Sequence, residues 1–251
     1  MRGEPKSNWM PGQVFVPDLS HYEWPADFNA LAESGCVGVI YKATQGTGYI
    51  DNTYEQARSA CYAAGMLWGS YHFADASNFE GQVNNYLSSA MPTSDDLICL
   101  DFEDNGSNSM RLSDAEKWII LVEQNLGRQG QCVLYSGNRI KETLGDTPST
   151  FWGAHRLWIA QYGTTVQVPS AWNSCWLWQF TDGSSGPEPH QAAGCGACDM
   201  NAYAGDETRL ATEWSGSGTP SPAPPPPEQL VVDIVISAPS NVTVNVTKQS
   251  L

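Results

Sequence analysis

The stretch that decides the fold is DLICLDFEDN, residues 96–105. Its apolar part, residues 97–100, ends in two carboxylates, Asp101 and Glu103, that lie two positions apart. Alternate side chains of a β-strand share one face. If the apolar part is a strand, both carboxyl groups project together from its end, and a pair of carboxyl groups on one face is what cleavage of a glycosidic bond requires.

A second carboxylate pair in the chain has the same spacing but a different setting. Asp114 and Glu116 follow Ser113 and open a helical pattern, in which side chains two positions apart do not face each other. Ser113 and Glu116 match a capping box at the start of a helix. The spacing alone is therefore weak evidence, and the strand setting is what favours Asp101 and Glu103.

Outward from this stretch, short apolar runs alternate with amphipathic segments. Helical patterns cover about residues 25–33, 54–64, 80–89 and 114–126, and such patterns become sparse after residue 131. Alternation of strands and helices predicts a parallel sheet, here an irregular, TIM-like (β/α) barrel of the α/β class. The apolar runs are VFV at 14–16, VGVIY at 37–41, MLWGSY at 66–71, ICL at 98–100, CVLY at 132–135, LWIA at 157–160 and WLW at 176–178.

Composition excludes several classes of partner. The chain has 251 residues and a formal net charge of −15, which argues against nucleic acid and anionic membranes as partners. The N-terminus has no apolar core of a signal peptide and no segment has the length of a membrane span, so we expect synthesis in a host cytoplasm. Seven cysteines are present, and we expect few or no disulfides, with buried thiols at Cys36, Cys61, Cys99 and Cys132.

The C-terminal part differs in composition from the rest. Residues 215–228 read SGSGTPSPAPPPPE and predict a semi-rigid linker. Residues 229–251 alternate Val and Ile with polar neighbours, which favours a β-hairpin-like tail for attachment or self-association over a disordered one. We therefore divide the chain into an extension (1–13), a barrel (14–214), the linker and the tail.

Seven short motifs then fall in a fixed order, and together they resemble glycoside hydrolase family 25, the lysozymes of phages, bacteria and some fungi. The resemblance covers about residues 14–205. The motifs are PDLSHY at 17–22, YKATQG at 41–46, AGMLWGSYHF at 64–73, LDFE at 100–103, LWIAQY at 157–162, WQF at 178–180 and DMN at 199–201.

The resemblance implies an irregular barrel that cleaves the β-1,4 bond between N-acetylmuramic acid and N-acetylglucosamine in bacterial peptidoglycan. It implies Glu103 as the general acid/base with Asp101 as its partner. Asp18 and Asp199 would be the other active-site carboxylates. The substrate-binding residues would be Tyr71, Lys42, Tyr135 and Trp158.

The chemistry of the residues agrees with this assignment. A glycosidic oxygen needs a proton as its bond breaks, and crowded carboxylates raise the pKa of at least one of them by like-charge repulsion. Either the acetamido oxygen of the substrate attacks, oriented by Asp101, or a carboxylate attacks directly; we expect retention of configuration in both cases. No cofactor is needed, and the pair Cys195 and Cys198 falls short of a metal site.

Two other functions compete with the lysozyme. In a family 18 chitinase the strand motif is Asp-x-x-Asp-x-Asp-x-Glu, and Cys99 stands here where the middle Asp is required. A protein of a different class, a virion-attached wall-binding protein, would keep the barrel with little activity. A phage endolysin would explain a lytic enzyme without a signal peptide, and a tail-associated lysin would better explain the linker and tail.

Overall fold

A computed structural model describes residues 13–216, so all of the predicted N-terminal extension except Gln13, most of the linker, and the tail lie outside the described residues. The strands are β1 (Val14–Leu19), β2 (Gly38–Gln45), β3 (Tyr49–Ile50), β4 (Leu67–Phe73), β5 (Leu97–Asp101), β6 (Val133–Ser136), β7 (Arg156–Ala160), β8 (Leu177–Thr181), β9 (Gln191–Ala192), β10 (Gly196–Ala197) and β11 (Asp199–Tyr203). The helices are α1 (Phe28–Glu33), α2 (Tyr54–Ala63), α3 (Phe79–Ala90), α4 (Leu112–Leu126), α5 (Asn138–Leu144), α6 (Thr150–Ala154) and α7 (Glu207–Glu213).

Eight of the strands form a closed barrel, which confirms the predicted fold class. The order around it is β1, β2, β4, β5, β6, β7, β8 and β11, and β11 pairs again with β1. Neighbours from β1 to β8 run parallel, whereas β11 is antiparallel to both β8 and β1. The barrel is irregular in its second half, as predicted, because α5 and α6 are short and a loop joins β7 to β8.

Strand alternation divides the core into two layers. On β5, Leu97 and Cys99 face the barrel interior, while Ile98 and Leu100 face the helices. A strand that is buried on both faces needs an unbroken apolar sequence, and this is the reason for the run at residues 97–100. At the C-terminal end of each strand, the side chains that face inward therefore extend this inner layer to the rim of the barrel.

The N-terminal end of the barrel is closed by residues after α7. The buried indole of Trp214 donates from Nε1 to the carbonyl of Trp68 at 2.7 Å. A Cβ on Gly38 would lie 3.0 Å from the Trp214 ring, so glycine makes room for it. Ser215 is also buried and its carbonyl accepts from Arg128 Nη2 at 2.5 Å, so the packed region extends past the predicted boundary at 214.

Helix positions agree with the sequence patterns, with one correction at α4. This helix begins at Leu112, and Arg111 occupies its N-cap without a side-chain hydrogen bond. The predicted capping box of Ser113 and Glu116 is therefore wrong, because Ser113 already lies inside the first turn. Asp114 instead pairs with the side chains of Arg111 and Lys117.

The predicted burial of four cysteines is confirmed. The thiols at Cys36, Cys61, Cys99 and Cys132 are buried and unpaired by disulfides in the part of the chain that the structure describes. Within that same part, none of the helices is both long and apolar enough to cross a membrane.

Candidate active site

Carboxyl groups from three strands meet at one rim of the barrel. Asp18 stands near the C-terminal end of β1, and Asp199 is the first residue of β11. The two are directly opposed in the antiparallel register of these strands. Because β11 runs against the others, its N-terminal end lies at the rim where the parallel strands finish, which is the catalytic face of such barrels.

This rim surrounds a cleft of about 260 Å³. All eight residues that the sequence singled out line it, together with five that it did not. The predicted set comprises Asp18, Lys42, Tyr71, Asp101, Glu103, Tyr135, Trp158 and Asp199, and the additional residues are Leu19, Ser20, Tyr22, Glu23 and Phe73.

Asp101 and Glu103 reach the cleft together, although β5 ends at Asp101. The backbone N–H of Phe102 donates to the carbonyl of Tyr135 at 2.9 Å, and Ser136 Oγ donates to the carbonyl of Phe102 at 2.6 Å. These bonds prolong the strand alternation by two residues. Phe102 is consequently buried on the helix side, and the carboxyl groups on either side of it face the cleft.

Burial is the first cause of the acid–base properties of this pair. It raises the pKa of Asp101 well above its usual value and also raises the pKa of Glu103. The charge of Glu103 is the second cause for Asp101, and the ammonium group of Lys42 opposes both shifts. The expected like-charge repulsion is thus present, and desolvation in the barrel mouth raises the pKa of Asp101 more than this repulsion does.

Two amide side chains hold the opposing carboxyl pair. Gln179 Nε2 donates to Oδ2 of Asp18 and to Oδ2 of Asp199, each at 3.0 Å. Asn201 Nδ2 adds a bond of 2.7 Å to the same Oδ2 of Asp18. Burial raises the pKa of Asp18 to about 7, against the effect of these donors, and raises the pKa of Asp199 to about 9.

The amides are themselves oriented by two aromatic side chains. Tyr135 Oη donates to Gln179 Oε1 at 2.8 Å, and Trp158 Nε1 donates to Asn201 Oδ1 at 2.5 Å. An indole N–H can only donate, so Asn201 must turn its NH₂ group toward Asp18. Trp158 is only 1% exposed, and its position at the floor of the cleft favours support of the carboxylates over stacking on a sugar.

Comparison with known proteins identifies the chain once this geometry is known. The family model described as glycosyl hydrolases family 25 matches residues 17–188. The chain belongs to this family. The matched region includes the end of β1 with Asp18, the whole of β5 and the strand that carries Gln179.

Relatives of this family 25 hydrolase cover different shares of its length. The "Autolytic lysozyme" of Clostridium acetobutylicum is 30% identical over 172 residues, which are 67% of this chain and half of that protein. "Lysozyme M1" of Streptomyces globisporus is 25% identical over 206 residues, 77% of this chain and 68% of that one. A bacterial lysozyme structure from Streptomyces coelicolor shares the fold, with a TM-score of 0.69 at 23% identity, and covers 82% of this chain and 98% of that chain.

Gln179 and Asn201 are two functional residues that were not predicted from the sequence. Both occur in motifs that carry the resemblance, WQF and DMN, and strand alternation was the available signal. Asn201 lies two positions after Asp199 and Gln179 two positions after the inward-facing Leu177, so both point into the barrel. Their partners on β1 could not be found by such local reasoning.

His72, Cys195 and Cys198, which lie in or near the motifs, do not line the cleft. His72 is buried outside the barrel wall, where Nε2 lies 3.0 Å from Gln82 Oε1, and burial lowers its pKa to about 4. The Sγ atoms of Cys195 and Cys198 are 3.3 Å apart in the β9–β10 region. Within residues 13–216 no cluster of three or more potential metal ligands is found.

A larger cavity of about 450 Å³ lies at the opposite end of the barrel. The only carboxyl group in its lining is that of Glu213, which accepts hydrogen bonds from Trp176, Tyr203 and Arg209. A carboxylate that is engaged in this way stabilises the N-terminal end of the barrel and is not available as an acid or base. The chemistry therefore belongs to the cleft that holds Asp101 and Glu103.

Proposed function

We propose that this family 25 hydrolase cleaves the β-1,4 bond between N-acetylmuramic acid and N-acetylglucosamine in peptidoglycan, with retention of configuration. The observation that carries the proposal is the convergence of Asp18, Asp101, Glu103 and Asp199 in one cleft at the C-terminal face of the barrel. Curated relatives of the chain are named lysozymes, which supports the same substrate class.

Glu103 is the proposed proton donor to the glycosidic oxygen. Burial raises its pKa, as a general acid working near neutral pH requires. Asp101 also has a raised pKa, and the two carboxyl groups are close enough that each opposes ionisation of the other. The pair therefore retains a proton to higher pH than two isolated carboxyl groups would, and the location of that proton depends on what else contacts the two groups.

Asp101 is the proposed partner of the substrate's acetamido group. Its side chain is 5% exposed, and Oδ1 has no hydrogen-bond partner among the described residues. An acetamido N–H that donates to Oδ1 would stabilise the ionised form and lower the pKa of Asp101. The shared proton then resides on Glu103, where the reaction needs it.

The bond changes follow from these positions. The acetamido oxygen attacks the anomeric carbon as the bond to the leaving oxygen breaks, and that oxygen takes the proton of Glu103. Asp101 stabilises the positive charge that develops on the cyclised acetamido group. The Glu103 carboxylate then takes a proton from a water molecule that opens the ring from the opposite face, so two inversions give net retention.

Asp18 and Asp199 have a proposed electrostatic role on the other side of the cleft. The three amide hydrogen bonds to this pair favour ionisation of Asp18, which receives two of them. Its carboxylate would stabilise the positive charge of the oxocarbenium-like transition state. Tyr71 and Lys42, which also line the cleft, are the proposed substrate contacts.

Digestion of purified peptidoglycan tests the function. Products are reduced with borohydride and analysed by mass spectrometry, and we expect reduced muramic acid at every new end. Reduced glucosamine would identify a glucosaminidase instead. Absence of released fragments, with retained binding to the wall, would favour the wall-binding protein, and cleavage of chitin in preference to peptidoglycan would favour a chitinase-like enzyme.

The stereochemical part of the proposal has its own test. Proton NMR of a soluble peptidoglycan fragment, followed within the first minutes, should show the β-anomer as the first product. Initial appearance of the α-anomer would contradict retention. Trapping of a glycosyl-enzyme ester on Asp101 would favour direct nucleophilic attack over the acetamido route.

The phage-related role and the C-terminal segments remain predictions. A linker at 215–228 and a tail at 229–251 would attach the enzyme to a virion or to other copies, and only Ser215 and Gly216 of these segments lie within the described residues. Size-exclusion chromatography with light scattering, on the full chain and on a chain ending at Gly216, should show a larger assembly only when the tail is present. Equal masses would contradict self-association.

A further inference from the structure

Exposed aromatic side chains are concentrated near the cleft. Among the described residues, six large apolar side chains are exposed, and two of them, Tyr22 and Tyr49, lie on one side of the mouth. Tyr162 lies near its other side, where its hydroxyl donates to Gln179 at 3.3 Å. A cluster of exposed apolar groups marks a binding surface more reliably than isolated ones do.

Tyr22 and its neighbours are held in place by polar contacts. The ring of His21 lies 4.1 Å from the ring of Tyr22 and 6.4 Å from that of Tyr49. Asp51 Oδ2 accepts from the backbone N–H of His21 at 3.1 Å and lies 2.9 Å from its Nδ1. Tyr22 is nevertheless 82% exposed, so a fixed backbone presents a large ring to solvent.

This aromatic surface, defined as His21, Tyr22 and Tyr49, is continuous with the cleft. Tyr22 belongs to both, since its side chain also lines the cleft. Lys42, another cleft residue, places Nζ 5.4 Å from the centre of the Tyr49 ring. A ligand that leaves the cleft on this side would pass directly over the rings.

The cleft is too small to contain a glycan strand, so the strand must leave it along the surface. The cleft volume of about 260 Å³ is below the roughly 300–1,000 Å³ of pockets that enclose a small ligand. A polymer of sugars cannot be contained there and must continue along the surface. Pyranose rings carry an apolar face of C–H groups and a polar edge, which matches tyrosine and histidine rings with polar tips.

We propose that the aromatic surface of His21, Tyr22 and Tyr49 binds a further sugar residue of the glycan strand, beyond those held in the cleft. The proposal rests on the proposed glycosidase function. A peptide is the less suitable occupant, because β3 has only two residues and offers too short an edge for strand pairing. The surface would therefore give the enzyme a preference for long strands.

The test compares Tyr49→Ala, at a residue of the surface outside the lining of the cleft, with wild type on peptide-free glycan strands and on the shortest fragment that wild type cleaves. Loss of a stacked ring should lower kcat/KM on long strands by about tenfold, through KM, and leave cleavage of the shortest fragment nearly unchanged. Tyr49→Phe keeps the ring and should behave as wild type. Met91→Ala removes an exposed apolar side chain elsewhere and is the matched control.

Other outcomes would overturn the proposal. Equal losses on short and long substrates would assign Tyr49 to the cleft alone, and unchanged kinetics on every length would remove it from binding. A loss seen only with strands that carry stem peptides would indicate a peptide contact. Binding of the same strands is followed in parallel by fluorescence. Binding that depends on the ring, without any cleavage, would contradict the proposed glycosidase function but support sugar binding by the aromatic surface.

Discussion

At the scale of single residues, two carboxylate pairs with the same spacing in sequence have different surroundings in the structure. Asp101 and Glu103 flank a buried Phe102 and both face the cleft, whereas Asp114 and Glu116 lie on the first turns of α4. The spacing in sequence is the same. What differs is the periodicity of the element that carries each pair, two residues in a strand and 3.6 in a helix.

The pair on α4 supplies a control for the proposed proton donor. We expect Glu103→Gln to abolish turnover, because an amide of the same shape is too weak an acid to protonate the leaving oxygen, with kcat falling by at least about 10²-fold. Glu116→Gln should leave kcat unchanged. Release of reduced muramic acid measures the activity, and circular dichroism checks the fold. Substantial residual activity in Glu103→Gln would remove that residue from its assigned role.

Gln179 gives a second prediction at this scale. Its amide donors stabilise the ionised form of Asp18, so Gln179→Leu should raise the pKa of that carboxyl further above 7. If ionised Asp18 is required, the acid limb of kcat/KM against pH should move upward by up to about one pH unit. The matched control is Gln124→Leu on the exposed face of α4.

The pH profile separates this role from a merely structural one. If Gln179 holds Asp18 in its ionised form, its removal moves the acid limb of kcat/KM against pH. If the substitution only disturbs packing, kcat/KM falls by the same factor at every pH. Uniform loss with an unmoved limb would therefore contradict the assignment of Gln179.

At the scale of secondary-structure elements, the position of Glu103 depends on the junction of β5, β6 and α5. Ser136 Oγ donates to the carbonyl of Phe102 and accepts from the backbone N–H of Ile140 at 3.1 Å. One hydroxyl thus ties the segment that carries Glu103 to the start of the next helix. The strand alternation extends past the end of β5 because of this tie.

Removal of that hydroxyl should affect both stability and catalysis. Ser136→Ala leaves a buried carbonyl and a buried N–H without their partner, and we expect a loss of about 1–3 kcal/mol in the free energy of unfolding. The kcat should fall as well, since Glu103 is less well fixed. Urea unfolding and the activity assay measure the two effects. Ser88→Ala, at an exposed position of α3, should change neither, and wild-type stability in Ser136→Ala would contradict the prediction.

At the scale of the whole molecule, the buried carboxyl groups of the cleft lower the stability of the folded chain. Burial raises the pKa of Asp18, Asp101, Glu103 and Asp199, so each carboxyl is harder to ionise in the folded chain than in the unfolded one. Stability from such a group is complete below its unfolded pKa and is lost as pH rises toward the folded value. The barrel tolerates this cost because its two core layers and its closed sheet supply the remaining stability.

Asp199→Asn tests this cost directly. The pKa of Asp199 is about 9 in the folded chain against 3.8 for an ordinary aspartate, so the substitution should stabilise the protein increasingly between these values. It should have little effect below that range. The midpoint of thermal unfolding should rise by roughly 2–4 °C for each kcal/mol gained, while activity is lost. Asp95→Asn, at an exposed site, is the control, and a midpoint that falls at pH 8 would contradict the prediction.

Much of the fold was predictable because its signals are local. Apolar runs predicted seven of the eight barrel strands, all but β11, and sparse helical patterns after residue 131 predicted the irregular second half. The antiparallel direction of β11 was not predictable in this way. Neither was the start of α4, where Arg111 takes the N-cap in place of Ser113, since pairing of the Arg111 and Asp114 side chains across the first turn competes with the capping pattern.

The sequence by itself determined the family, the barrel and the side chains that face its interior, because a strand's alternation is contained in a few consecutive residues. Only the tertiary structure decided which amide holds which carboxyl group and how far burial shifts each pKa. Gln179 and Asn201 reach Asp18 across 161 and 183 positions of the chain. Such contacts exist only once β11 closes the barrel, and the low dielectric that shifts the pKa values exists only once the mouth is surrounded on every side.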